Sequence, residues 1–248
     1  AVRTSTEDRF VISARVFVDC TGDGGLGASA GAPYYKGRES REMYGESLAV
    51  ETADEKTLGS TLLFMARKHD RPMPFEAPAW ARKFEAKDLT HRFSTQFRTE
   101  GATLNHYEYG YWWLEWGGHL DTIKDNEAIR DELLSIVLGV WDYIKNGGDF
   151  GADHWALDWF GAIPGKRESR RFIGQHVLTE QDVMEARPFP DAIAFGGWPI
   201  DLHPVEGIDN PAERPCIQHP VPHLFEIPLR ACVSRDIPNL MFAGRNLS

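Results

Sequence analysis

The tightest constraint on this chain is a run of glycines. In "VFVDCTGDGGLGASAGAP", residues 16–33, Gly22, Gly24 and Gly27 follow a short apolar stretch in the pattern G-x-G-x-x-G. Glycines at this spacing let a backbone turn sharply and approach a neighbour closely. A dinucleotide-binding βαβ unit requires more: a strand, the turn, a helix of several turns, a second strand and an acidic residue about twenty positions on. Arg15–Cys20 supplies the strand. The helix fails, because Gly31 and Pro33 stop it after about two turns. The stretch that follows, "KGRESREMYGES", is polar and turn-like. The literal fingerprint is a decoy, so the glycines form either a chain-reversing turn or a different kind of contact.

With 248 residues and 42% hydrophobic content, the chain can bury one large core or two smaller ones. Its net charge of −10 argues against nucleic acid or an anionic membrane as a partner. No apolar run approaches the length that spans a bilayer. Cys20, Cys216 and Cys232 are an odd set without C-x-x-C spacing, which argues against a disulfide framework or zinc site and permits a reducing, cytoplasmic compartment without showing one. The chain opens inside what reads as a hairpin and closes directly after a strand-like run, so it is expected to be the interior of something longer.

The periodicities predict mixed α/β structure with too few alternating βα units for a complete parallel-sheet domain. "RFVISARVFVDC" (9–20) reads as strand, and "EKTLGSTLLFMARKH" (55–69) as a short helix or a strand plus helix. Residues 71–78 are Pro-rich loop. "NHYEYGYWWLEWGGH" (105–119) alternates large aromatics with smaller residues and reads as an antiparallel strand. In 125–147, Ile129, Leu133, Ile136, Val137, Val140, Trp141 and Ile144 share one helical face, with Asp125 or Asn126 as N-cap, Lys145 in the last turn and Gly147 as the stop. Thr179 and Asp182 form a capping-box pattern that opens a second helix. Further strands are expected near 192–201, 222–233 and 239–243.

Four stretches together carry a resemblance: "VDCTGDG", "IPGKRESRRFIGQHVLTEQDV" (163–183), "GGWPIDLHP" (196–204) and "NLMFAGRNLS" (239–248). A strand followed by Thr21-Gly22-Asp23-Gly24 resembles the second cofactor motif of FAD-dependent flavoproteins of the glutathione-reductase type. "NLMFAGRNLS" is similar to their late motif, with Arg245 where an Asp is usual. In order and spacing the chain resembles bacterial FAD-dependent oxidoreductases related to the fumarate-reductase flavoproteins, without their N-terminal G-x-G-x-x-G unit. The resemblance implies FAD as cofactor, contacted by Thr21, Gly22, Asp23 and Gly24 and by Gly244, Arg245 and Asn246. It implies that residues 1–32 and 216–248 are parts of the FAD-binding domain, and that 33–215 form an inserted substrate domain with antiparallel sheet and helices. The implied reaction is hydride transfer between a small organic substrate and the flavin. A piece lacking the phosphate-cradling helix is expected to bind FAD weakly by itself and to be inactive.

Several side chains could serve that chemistry. "PGKRESRR" gathers Lys166, Arg167, Arg170 and Arg171 in an acidic chain, and guanidinium forks bind carboxylates or phosphates bidentately. Surface pairing with surplus Asp and Glu is the plainer alternative for each. Arg167 and Arg170 are the candidates for holding substrate or stabilising reduced-flavin charge. Asp201 and His203, two apart beside Trp198, make His203 a candidate to take the substrate's proton; a satisfied structural histidine is its alternative. His154 is a weaker candidate of the same kind. Pro220 and Pro222 forbid the helix that would align His219 and His223 on a metal, so no metal is expected there. Tyr107, Tyr109, Tyr111, Trp112, Trp113 and Trp116 are expected to be sheet-packing residues, with a substrate wall as one alternative and a non-catalytic carbohydrate platform as another.

Overall fold

A computed structural model describes residues 2–3, 5–92, 107, 114–148 and 150–247. The architecture is mixed α/β, built from short strands paired in twos and few helices. Phe17–Asp19 runs parallel to Leu240–Phe242; the other strand pairs among the described residues are antiparallel. These join Tyr34–Lys36 with Arg170–Phe172, Ser60–Thr61 with Glu115–Trp116, and Phe64–Lys68 with Trp155–Phe160. Ala192–Gly196 pairs with Phe225–Pro228, and Ile200–Leu202 with Ile217–His219.

Two apolar clusters hold these pieces. The larger surrounds the 21-residue helix Asn126–Asn146, whose Ile129, Leu133, Ile136, Val137, Val140, Trp141 and Ile144 are all buried, as their spacing predicts. Asp125 occupies the N-cap position, but its carboxylate accepts from the Asp121 N–H rather than from the first turn. Lys145 donates to the carbonyls of Ala152, Asp153 and Trp155, anchoring the helix end to the following loop. The smaller cluster joins Ala32, Phe172, Leu240 and Phe242, with the Phe172 and Phe242 rings stacked 4.4 Å apart. Thr179 and Asp182 form the predicted capping box, opening the short helix Glu180–Met184.

Elsewhere the structure corrects the sequence expectations. Residues 9–20 are not one strand: only Asp8–Arg9 and Phe17–Asp19 are paired, and residues 10–15 are exposed. The partner strand Leu240–Phe242 offers only three residues, so pairing ends where it does. Residues 55–69 contain no helix; two strands form instead. Phe64 and Ala66 face the core while Met65 points outward, so an exposed apolar Met hides a period-two pattern. The basic run at 166–171 leads into the strand Arg170–Phe172, which takes Arg170 and Arg171 into the ladder. The strand expected near 192–201 breaks at Gly197–Pro199, and 229–232 form a 3-10 turn. Of the aromatic stretch 105–119 only Glu115–Trp116 is strand among the described residues; Tyr109, Tyr111, Trp112 and Trp113 lie outside them.

Candidate functional site

The two glycine turns lie together at the carboxyl ends of the parallel strand pair, where ligands of α/β sheets commonly sit. Asp19 organises the first turn from full burial. One carboxylate oxygen accepts from the Thr21 N–H and hydroxyl at 2.9 and 2.7 Å, and the other from the Gly27 N–H at 2.7 Å. Burial pushes the Asp19 carboxyl up, but the donors from Gly27 and Thr21 outweigh it and hold the pKa below the usual carboxylate value. The Thr21 hydroxyl in turn accepts from the Gly25 N–H at 2.8 Å.

Gly22 and Gly24 both take positive φ, at 79° and 71°. At Gly24 a Cβ would fall 2.1 Å from the Phe172 ring, so the turn and the Arg170–Phe172 strand are pressed together. The second turn locks onto the first. Asn246, fully buried, donates to the Asp19 carbonyl at 3.2 Å, and its own carbonyl accepts from the Phe172 N–H. The Asn246 Oδ1 is buried with no hydrogen-bond partner among the described residues. A Cβ at Gly22 would lie 2.8 Å from the Arg245 guanidinium, which extends over the first turn. Cys20, Thr21, Gly25, Gly244 and Arg245 form the exposed rim.

The basic loop connects this rim to a second group of ionisable side chains. Lys166 pairs with Asp23, whose other oxygen accepts from the Ser169 hydroxyl at 2.8 Å. Arg170 donates to the Asp23 carbonyl at 3.0 Å and lies over the Tyr34 ring. Arg171 instead pairs with Glu39 and the Gly37 carbonyl. Arg167, next to Lys166, turns the other way and donates to Glu115 at 3.0 Å. The second Glu115 oxygen lies 2.8 Å from His203 Nδ1, and Asp201 lies 3.4 Å from His203 Nε2. Two consecutive cations thus join the glycine turns to a Glu115–His203–Asp201 chain.

Burial pushes the His203 imidazole down, but its hydrogen bond with Glu115 and the charges of Glu115 and Asp201 outweigh that, against opposition from Arg167. The resulting pKa lies above the ordinary value of 6.5. Nearby Cys216 is pushed up by burial and by Asp201 and Glu115, which keeps it a thiol. Two cavities of about 790 and 760 Å³ meet at His203 and Asp201. The first also contains Lys166, Arg167, Trp159 and Trp198, the two tryptophans being 51% and 70% exposed.

Thr21, Gly22, Asp23, Gly24, Gly244, Arg245 and Asn246 are therefore contiguous, and Arg167, Arg170 and His203 connect to them through one loop. The plainer alternative for the basic residues is met in part, since Lys166, Arg167 and Arg171 each pair with a carboxylate. His154 sits apart, against the His69 carbonyl. Among the described residues no cluster of His, Cys, Asp or Glu is arranged to hold a metal ion, and no helix is long and apolar enough to cross a membrane. Sequence reasoning missed Glu115. Its one signal was a lone acid within the aromatic "YWWLEWGG". The carbohydrate platform finds no support: Tyr107 is buried in the core, and Trp116 donates its ring N–H to Asp209.

A family model described as FAD dependent oxidoreductase matches residues 1–248. No curated protein and no solved structure matches the chain.

Proposed function

The chain belongs to the FAD dependent oxidoreductase family, its cofactor is FAD, and from that premise we propose that the two glycine turns hold the cofactor beside a substrate chamber governed by Arg167 and His203. Two features of the rim fit such a group. A Cβ at Gly244 would meet only Asn246 Oδ1, at 3.9 Å, so the backbone there is open to close approach. Asn246 Oδ1 beneath it, without a partner among the described residues, can accept a donor such as a sugar hydroxyl. Thr21, Gly22, Asp23 and Gly24 would line one side of the cofactor, and Gly244, Arg245 and Asn246 the other.

When bound, FAD supplies a two-electron acceptor for a hydride from a small organic substrate. The chain's own residues then bind, orient and handle the proton. Arg167 and Arg170 fix the loop between rim and chamber, Arg167 through Glu115 and Arg170 through the Asp23 carbonyl. His203, held by Glu115 at Nδ1, would as the neutral imidazole receive at Nε2, through Asp201, the proton that the substrate loses. Residues 1–32 and 216–248 are assigned to the FAD-binding part and 33–215 to the substrate part. The smaller apolar cluster supports this, joining Phe17 to Leu240, Phe242 and Leu247. Phe172, and the strand pairs that cross residue 216, tie the two parts together.

The observation that carries this reading is the divergence of Lys166 to Asp23 and Arg167 to Glu115, which couples the glycine turns to the His203 group. Its test is a titration of FAD emission with the protein, read beside the visible absorption spectrum of the mixture. Weak but saturable binding is the expected result. A colourless protein in which no flavin emission changes on titration would remove the turns from any cofactor role.

A further inference from the structure

The cavity shared by Trp159, Trp198, Arg167 and His203 also limits what substrate can enter. Its apolar wall is formed by Leu62, Leu63 and Ile163 together with the exposed faces of the two tryptophans. Its charges are compensated within the protein. Lys166 is taken by Asp23, Arg167 by Glu115, and His203 lies between Glu115 and Asp201. Among the described residues, with His203 protonated three cations face three carboxylates, and with His203 neutral the group carries an excess negative charge. In neither state does a cation lining this cavity remain unpaired among the described residues. A carboxylate or phosphate entering here would lose its hydration without gaining a counter-charge, which is strongly unfavourable.

The Asp201 carboxylate is different. Its side chain is 23% exposed and borders both cavities; among the described residues its Oδ2 lies 3.4 Å from His203 Nε2 and its buried Oδ1 has no hydrogen-bond partner. A carboxylate has about four acceptor sites, so most of its capacity remains. On the reading given above of this cavity as the substrate chamber, we propose that the substrate is an uncharged hydroxyl compound with an apolar face. That face lies against Trp159 and Trp198, and the hydroxyl donates to Asp201. Asp201 thereby determines specificity, selecting a neutral donor and rejecting anions.

The test uses the full chain, with and without FAD, and three probes of one shape: benzyl alcohol, benzoate and benzylamine. Binding is read by quenching of tryptophan emission, with Trp159→Phe and Trp198→Phe identifying the reporting residues. Benzyl alcohol is expected to bind at least about tenfold more tightly than benzoate, the scale of one hydrogen bond to a charged group. Asp201→Asn should remove most of that preference. Trp198→Ala, at an exposed position that the fold does not need, should weaken benzyl alcohol by about three- to tenfold with the preference intact. Equal or tighter binding of benzoate, tighter binding of benzylamine, or no saturable binding of benzyl alcohol would each overturn the proposal. Flavin binding is scored separately by FAD emission, so a protein that binds FAD but prefers benzoate refutes only the substrate class. One that binds benzyl alcohol but no FAD refutes only the cofactor placement.

Discussion

Glu115 shows how one buried side chain sets the behaviour of its neighbours. It is 3% exposed and carries both Arg167 and His203, so its charge is compensated twice. Glu115→Gln should remove the carboxylate that Arg167 pairs with, leave His203 with Asp201, and destabilise the fold by roughly 3 kcal/mol, read by urea denaturation. The pH dependence has a definite sign. Because the folded pKa of His203 is raised above 6.5, its contribution is fully present below that value and disappears as pH rises through the folded pKa. Wild type should lose stability across that interval, and His203→Gln should flatten the profile there. Asp19 behaves oppositely. Its folded pKa is depressed below 3.8, so its stabilisation is present above that value and lost as acid protonates the folded carboxylate. Asp19→Asn turns an amide NH2 toward the donors of Thr21 or Gly27, and about 1–3 kcal/mol should be lost, with the acid limb of a denaturation profile flattened.

At the scale of elements, the long helix was legible from its spacing and the short strands were not. A 21-residue amphipathic helix repeats its pattern often enough to declare itself, and every residue assigned to its apolar face is buried. Pairs of two or three residues carry no such statistics; Ser60–Thr61 is extended because Glu115–Trp116 lies on one side of it and Gly165 on the other. Gly139 separates local from tertiary reasoning most sharply. Helix propensity alone predicts that Gly139→Ala gains about 1 kcal/mol. In the fold a Cβ there would fall 2.0 Å from the Arg82 carbonyl oxygen, so the Arg82 segment must move. The substitution should instead cost about 1–3 kcal/mol in chemical denaturation, with an unchanged slope.

At the scale of the molecule, the loop at 163–171 ties the parts together. Lys166 is the hinge of that connection: without it, the Asp23 carboxylate faces the glycine turns uncompensated. Lys166→Ala is expected to weaken FAD binding by about tenfold in a flavin fluorescence titration, because an unpaired carboxylate repels the cofactor's phosphates. Lys166→Ala combined with Asp23→Asn should recover most of the loss. Recovery would not follow if Lys166 acted only by filling space.

The sequence by itself determined the strand-and-glycine turn, the failure of the following helix, the buried face of residues 126–146, the capping box at Thr179 and the four stretches that resemble FAD-dependent oxidoreductases. Each depends on residues near one another in the chain, where backbone sterics and helical period act directly. Only the tertiary structure decided that Asp23 meets Lys166, that Phe172 stacks on Phe242 beneath Gly24, and that Glu115 lies between Arg167 and His203. Those contacts join segments some 50 to 150 residues apart. Nothing local in "YWWLEWGG" could reveal that its glutamate is buried. A carboxylate tolerates such burial only when distant cations are brought to it, and which cations arrive is a property of the packing.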